Sequence, residues 1–463
     1  MVPITPNLLV VEGVFFRFCQ IEMELTMRLF AKSLESWLHP SDAFVLLFGS
    51  HEYAFWLDRE THQSERYSVI GGANSEFKHS GRENLAQAVS QLATENDLQL
   101  PFAFRPGLVG ALGFESSHDA LMLIDRAIVF DHDSRMLWFV GAFENQDDFQ
   151  HWTSAALLRF ALVGGQQAQY RDLHAGGDVW RPELRHDSDA YLALIAKAQE
   201  HISVGDVYQL CLTNQIEITT NVDPLMTFLR LREQNPAPYA SFFRVGKRSI
   251  VSASPEQFLH ATAEGSISSK PIKGTRRRGA NPEEDAQIAA ELAGNEKERA
   301  ENLMIVDLMR NDLGRVCEVG SVEVPKLFEV ETYATVHQLV STVVGLLLPQ
   351  ASVFDAVEAA FPGGSMTGAP KARAIEIIQN LESGERGIYS GALGYISANG
   401  AADLGMTIRT LVFEGERVSI GVGGGITIDS EPIAELEETK LKAKALLRAL
   451  GADDPWSVAS AGA

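Results

Sequence analysis

Cysteine is scarce in this 463-residue chain: Cys19, Cys211 and Cys317 stand far apart, with no C-x-x-C pair and no Cys/His cluster. That excludes a disulfide framework, offers no zinc site, and fits a reduced, cytoplasmic setting. Long hydrophobic runs are lacking, so nothing in the sequence reads as a membrane span. The N-terminal stretch MVPITPNLLVVEGVFFRFCQIEMEL is apolar but has no basic leader and carries Glu12 and Arg17, so it does not read as a signal peptide. Met23 and Met27 remain as alternative starts. Positive charge is in deficit: 39 Lys and Arg against 61 Asp and Glu leave a formal net charge of −22. Nucleic acid and anionic membrane surfaces are therefore disfavoured partners, and an anionic substrate needs a local cluster of Lys and Arg. Internal repeats and low-complexity tracts are absent as well.

What is present is ordinary globular composition, 45% hydrophobic and 22% charged. The length calls for two domains or one large two-layered unit. Residues 1–180 show short apolar runs such as AFVLLFG and MLWFVGAFE, a strand-rich α+β subdomain without a nameable catalytic motif. The loop LHAGGDVWRPELRHDSD is the candidate boundary. Residues 187–450 carry the motifs, and 451–463 read as a flexible tail. Asp187, Ser188 or Asp189 caps a helix whose stripe is Tyr191, Leu194, Ile195, Ala198 and Ile202. In VYQLCLTNQIEI, Tyr208, Leu210, Leu212 and Ile216 point one way and Gln209, Cys211 and Thr213 the other, a strand with a semi-polar second face.

Two later helices carry paired carboxylates. In NEKERAENLMIVDLMRND, with an apolar side of Leu303, Ile305, Val306 and Leu308, Glu298 and Glu301 share a face. In PIAELEETKLKAKALLRALG, Ile433, Leu436, Ala443, Leu447 and Leu450 form the stripe, and Glu435, Glu438 and Lys442 line the neighbouring one. Either pair alone reads as a solvated acidic face. If the helices face each other, four carboxylates make a hard oxygen site suited to Mg²⁺. FPGGSMTGAPKARAIEII has the glycine spacing of a phosphate loop but Ala-Pro-Lys where Lys-Ser/Thr must follow, so a nucleotide loop is not expected, and amides offered to a small anion at a helix N-terminus are the alternative. Thr367 is the expected N-cap and Pro370 suits the first turn. Gly423, Gly424 and Gly425 mark either close approach to something flat or anionic or a tight bulge. KPIKGTRRRG, Lys270 to Gly279, holds five basic residues; it reads either as a solvated turn or as the setting of one buried reactive amine, Lys273.

Taken together, SASPEQF, KPIKGT, ERAENLMIVDLMRNDLGRV, VHQLVSTVVG, FPGGSMTGAPKARAIEII, YSGALGY, MTIRT, GVGGGI and LEETKLKAKALLRA resemble the chorismate-utilising enzymes. The resemblance is dense from about Val207 to Leu450. Within them it resembles specifically the aminodeoxychorismate synthase component I branch, with anthranilate synthase component I as near relative and alternative. It implies an α+β fold of two large, mostly antiparallel sheets packed together and flanked by helices. The anthranilate branch resembles PIAGT where this chain has PIKGT, which implies Lys273 as the catalytic amine. Isochorismate and salicylate synthases bring their lysine where this chain has Gln209. Glu256 is then the general acid and His337 a hydrogen-bonding or proton-shuttling group. Gly274, Thr275, Tyr389, Arg409, Gly423, Gly424, Gly425 and Lys442 hold the substrate carboxylates, and Glu298, Glu301, Glu435 and Glu438 hold Mg²⁺. Desolvation of a lysine favours its free amine, the form that attacks carbon. No cysteine sits in a glutaminase-type nucleophile turn, so the implied ammonia comes from a separate glutamine amidotransferase subunit.

Overall fold

The computed structural model describes residues 27–60, 66–161, 165–333 and 336–457. Cys19 and the apolar N-terminal stretch lie outside them. Among the described residues, twelve strands form one sheet and nine a second, and every ladder within both is antiparallel, as expected for the α+β class. In the larger sheet, Tyr53–Asp58 pairs with Tyr239–Val245, and the order continues through Arg248–Ser254, Thr410–Glu414 and Arg417–Ile426 to Gln209–Thr219. The smaller sheet runs from Ile272–Arg277 through Val336–Leu346, Ser266–Lys270, Gln257–Ala261, Ala402–Met406 and Ala392–Ser397 to Gly107–Leu112 and Ala120–Ile124.

The two sheets pack face to face. Phe55, Phe243 and Ile250 of the larger meet Val109, Met122 and Leu393 of the smaller in one buried cluster. Helices cover the far side of the larger sheet, where Phe228, Leu446 and Leu450 join Trp56, Ile216 and Ile420. Asp187 caps the helix Ser188–Ser203 by accepting from the Ala190 amide, and Tyr191, Leu194, Ile195 and Ala198 are buried as the periodicity requires. Strands from before residue 180 enter both sheets: Tyr53–Asp58 lies beside Tyr239–Val245, and Gly107–Leu112 beside Ala392–Ser397. The boundary expected near 180 is therefore a break in sequence character that the hydrogen-bonded sheets cross.

Several local expectations are corrected. The helix Glu296–Gly314 buries Glu301, Asn302, Ile305, Val306, Met309 and Leu313, which turns Leu303 out to solvent. Ile433 in the first turn of Pro432–Leu450 is likewise exposed, because Glu435 and Leu436 take the inward positions. Tyr208 precedes its strand and is exposed, whereas both faces of Gln209–Thr213 are buried, since this strand lies between a helix layer and the second sheet. Thr367 does not cap the helix Lys371–Leu381. It donates to the Gly363 carbonyl, and the chain pairs through Gly368–Ala369 with Gln209–Leu210 before the helix begins. Ala452 and Trp456 pack against the core, so residues 451–457 are not a loose tail; residues 458–463 lie outside the described set. Among the described residues no helix is long and apolar enough to cross a membrane.

Candidate active site

Alternation along two paired strands lays down a floor. Gly425 lies opposite Cys211, Gly424 opposite Leu212 and Gly423 opposite Thr213. None of the three has a positive φ, so what they supply is space. A Cβ on Gly425 would stand 2.7 Å from Gln209 Nε2 and 3.0 Å from Lys273 Nζ. One on Gly424 would meet Glu435 Oε2 at 3.2 Å and Lys442 Nζ at 3.7 Å. The glycines thus clear the place where an amine, an amide and a carboxylate converge, which decides for close approach and against a tight bulge.

The lysine strand Ile272–Arg277 reaches this floor through a bulge. Its register against Val336–Leu346 slips between Lys273 and Thr275, and Gly274 sits there at φ 78°. A side chain at Gly274 would also strike Leu292 at 2.8 Å and Glu298 at 3.0 Å, so both conformation and space demand glycine. The basic run sorts itself by partner. Lys270 donates to Glu331 at 3.3 Å, Arg276 to Glu291 at 3.0 Å and Glu298 at 3.3 Å, and Arg277 meets Glu284. Arg278 grips Asp285 with two bonds of 2.8 and 2.7 Å. Lys273 differs: it is mostly buried, its nearest carboxylate oxygen is Glu301 Oε2 at 3.9 Å, and it makes no side-chain hydrogen bond among the described residues. Thr275, beyond the bulge, is exposed.

The two glutamate helices do face each other. Lys297 of the first reaches Glu435 Oε1 of the second at 3.5 Å and Glu301 Oε1 at 3.8 Å. Glu435 is buried and accepts from the Ser430 hydroxyl at 2.8 Å; Glu438 is exposed and pairs with Lys442 at 2.8 Å. Burial opposes it, but Lys442 holds the Glu438 carboxyl below its ordinary range. Burial instead pushes the Glu301 carboxyl up, against the attraction of Lys273 and Lys297. Among the described residues no three ligands stand converged on one point. The four carboxylates nevertheless fit a hard cation such as Mg²⁺, because the buried Glu301 carboxylate has two cations just beyond hydrogen-bond length and no hydrogen bond among the described residues.

Around this centre, Glu256 is buried at the end of SASPE, and burial pushes its carboxyl up to about 7 despite opposing pulls from Ser365, Lys273 and Ile272. Arg409 occupies φ 50°, and its guanidinium has neither hydrogen bond nor ion pair among the described residues. Burial draws Arg409 down while the charge of Glu256 draws it up, which places both in one electrostatic neighbourhood. Such an unengaged guanidinium suits a carboxylate. Tyr389 is buried with its ring against Gly421, where a Cβ would come within 2.1 Å. Lys442 donates to the Gly423 carbonyl at 2.7 Å. His337 is buried with both nitrogens engaged, Nδ1 with Thr332 at 2.8 Å and Nε2 with Asp285 at 2.9 Å. It therefore ties its strand to the Asp285 helix and the arginine run.

Two further groups belong to this region without a role assigned from the sequence. Gln209 is buried, and its Oε1 has no partner among the described residues; its place on the polar face of an alternating strand was the available signal. Asn302 donates to the Pro271 carbonyl at 3.2 Å and accepts from Ser341, tying KPIKGT to the first glutamate helix. Nothing in its sequence context announces that.

The model of the chorismate binding enzymes matches residues 52–448, and the chain belongs to that family. It is 43% identical over 465 residues to an aminodeoxychorismate synthase of Streptomyces griseus, covering 92% of this chain but only 64% of that protein's length. It is 41% identical over 331 residues to aminodeoxychorismate synthase component 1 of Klebsiella aerogenes, covering 72% of this chain and 70% of that one. The crystal structure of anthranilate synthase component I from Streptococcus pneumoniae TIGR4 superposes with a TM-score of 0.72 at 28% identity, covering 88% of this chain and 97% of that chain.

Proposed function

We propose that this chain aminates chorismate at C4, giving 4-amino-4-deoxychorismate for 4-aminobenzoate synthesis, with ammonia from a separate glutamine amidotransferase subunit. The observation that carries this reading is Lys273: within its basic run it alone lacks a hydrogen-bonded acid, and it faces the glycine floor. Its free amine adds at C2, both ring double bonds shift (to C1=C6 and C4=C5), and the 4-hydroxyl departs as water with the proton of Glu256. A carboxyl at about 7 keeps that proton available near neutrality. Ammonia then adds at C4 with the reverse shift and the Lys273 amine leaves. The new ammonium loses a proton, and Glu256 regains one. Covalent catalysis divides one hard displacement into two easier ones.

Arg409, Lys442, Tyr389 and the amides of Gly423 to Gly425, with Gly274 and Thr275, hold the two substrate carboxylates. His337 keeps the strand beside the ring in place. Glu301 and Glu438, with Glu298 and Glu435 in support, would hold Mg²⁺, which would supply positive charge for the ring carboxylate. The second reading is anthranilate synthase component I, favoured by the likeness to the S. pneumoniae structure. One experiment separates them: the chain is incubated with chorismate, Mg²⁺ and ammonium at alkaline pH, and the product is identified by mass spectrometry. We expect 4-amino-4-deoxychorismate, and none when glutamine replaces ammonium. Anthranilate as the main product overturns the first reading.

A further inference from the structure

Lys297 stands where a cation is out of place. It lies in the first turn of Glu296–Gly314, beside Glu296 and Glu298, at the end of a helix that favours negative charge. Its ammonium is 3.5 Å from Glu435 Oε1 across the gap and 3.8 Å from Glu301 Oε1 one turn along its own helix, so it bridges the two glutamate helices. Those two carboxylates are buried, and removal of the cation between them leaves like charges facing each other in a poorly solvated gap. The Lys297 side chain is itself 52% exposed, against 13% for Lys273 on the other side of Glu301. A four-carbon stem with its exit open to water can leave the gap; one closed in by a strand and a glycine floor cannot.

We propose that Lys297 is a built-in placeholder cation, seated between Glu301 and Glu435 in the metal-free protein and displaced into solvent when Mg²⁺ enters. The inference rests on the reading that these glutamates bind Mg²⁺. It makes metal entry an exchange of one cation for another: Lys297 keeps the helices docked without metal and weakens metal binding by competing for the same oxygens.

The test uses the full chain without chorismate. Mg²⁺ binding is followed by calorimetry, and Mn²⁺ binding by the paramagnetic resonance of the free ion, for wild type, Lys297→Met, Lys297→Arg and Lys444→Met. Lys444 is an exposed lysine of the second glutamate helix and controls for the loss of one positive charge. We expect Lys297→Met to bind metal roughly three- to fivefold more tightly, the range an exposed ion pair supplies. Lys297→Arg should stay near wild type and Lys444→Met should change little. In unmodified protein, an amine-reactive reagent read by peptide mass spectrometry should label Lys297 faster once Mg²⁺ is added. Equal metal affinity in wild type and Lys297→Met, or labelling of Lys297 unaffected by a bound metal, overturns the placeholder and leaves the metal site standing. Absence of metal binding in every variant removes the metal site, and the placeholder with it.

Discussion

Burial sets the chemistry of Glu256 and also makes it a liability to the fold. Its carboxyl moves from an ordinary 4.5 to about 7, so between those values the folded chain holds a proton that the unfolded chain has released. Stability therefore falls as pH rises through this window, by about 3 kcal/mol in all, and what is lost stays lost above pH 7. Glu256→Gln should be up to ~3 kcal/mol more stable than wild type at pH 8 and nearly equal to it at pH 4.5, measured by denaturant unfolding at both. The same substitution removes the proposed acid, and turnover should drop ~10²–10⁴-fold. A variant that loses activity without this pH-dependent gain would place Glu256 outside the buried site. Lys273→Ala should lose a comparable factor, because it removes the proposed nucleophile. Lys270→Ala, its partner Glu331 lying away from the floor, should keep substantial activity. In wild type without ammonia, a chorismate-derived mass should map to the peptide of Lys273; mapping to Lys270 instead would return Lys273 to the status of a turn lysine.

At the scale of the element, the glycine strand Arg417–Ile426 separates function from stability within three residues. Gly425→Ala places its methyl against the ends of two flexible side chains, Gln209 and Lys273, which can shift aside. Gly423→Ala drives it to 2.2 Å from the Leu212 carbonyl, part of the paired backbone. The first should abolish turnover with a small change in Tm; the second should lower Tm by several degrees, as overpacking a sheet costs ~1–3 kcal/mol. Thermal melts and ammonia-dependent turnover of the two variants check this together. The same strand shows what was legible beforehand. Three glycines in a row left close approach and a tight bulge both open, and their target needed the partner strand, which sets Cys211 opposite Gly425 and brings the Gln209 side chain to it. Helix periodicity found Ile305, Val306, Leu436 and Leu447, since neighbours three and four apart must share a face. It misplaced Leu303 and Ile433, because the inward side of both helices was taken by Glu301, Asn302 and Glu435. Apolar patterning has no means of expecting buried carboxylates. The Thr367 cap failed for a related reason: strand pairing at Gly368–Ala369 took up the backbone that a cap would have served.

Across the whole molecule, both sheets draw strands from either side of residue 180. Tyr53–Asp58 shields one edge of Tyr239–Val245, and Gly107–Leu112 does the same for Ala392–Ser397. Arg59 donates to Asp403 at 3.1 Å, a buried ion pair from the early segment to the smaller sheet. Without residues 1–180, the remaining chain exposes two long sheet edges and the apolar faces of Phe243, Ile250 and Leu393, which favours aggregation. It also leaves Asp403 a buried charge without its partner, a loss that costs ~3–5 kcal/mol. A fragment of residues 181–463 made alone should be insoluble or should bind a hydrophobic dye with no cooperative melt. The same fragment co-expressed with residues 1–180 should recover solubility, because the strands can rejoin the sheets without the connecting loop. Circular dichroism melts and size-exclusion chromatography of the fragment, the co-expressed pair and the full chain decide the matter. A soluble 181–463 fragment that melts cooperatively and aminates chorismate would make the early segment an accessory domain.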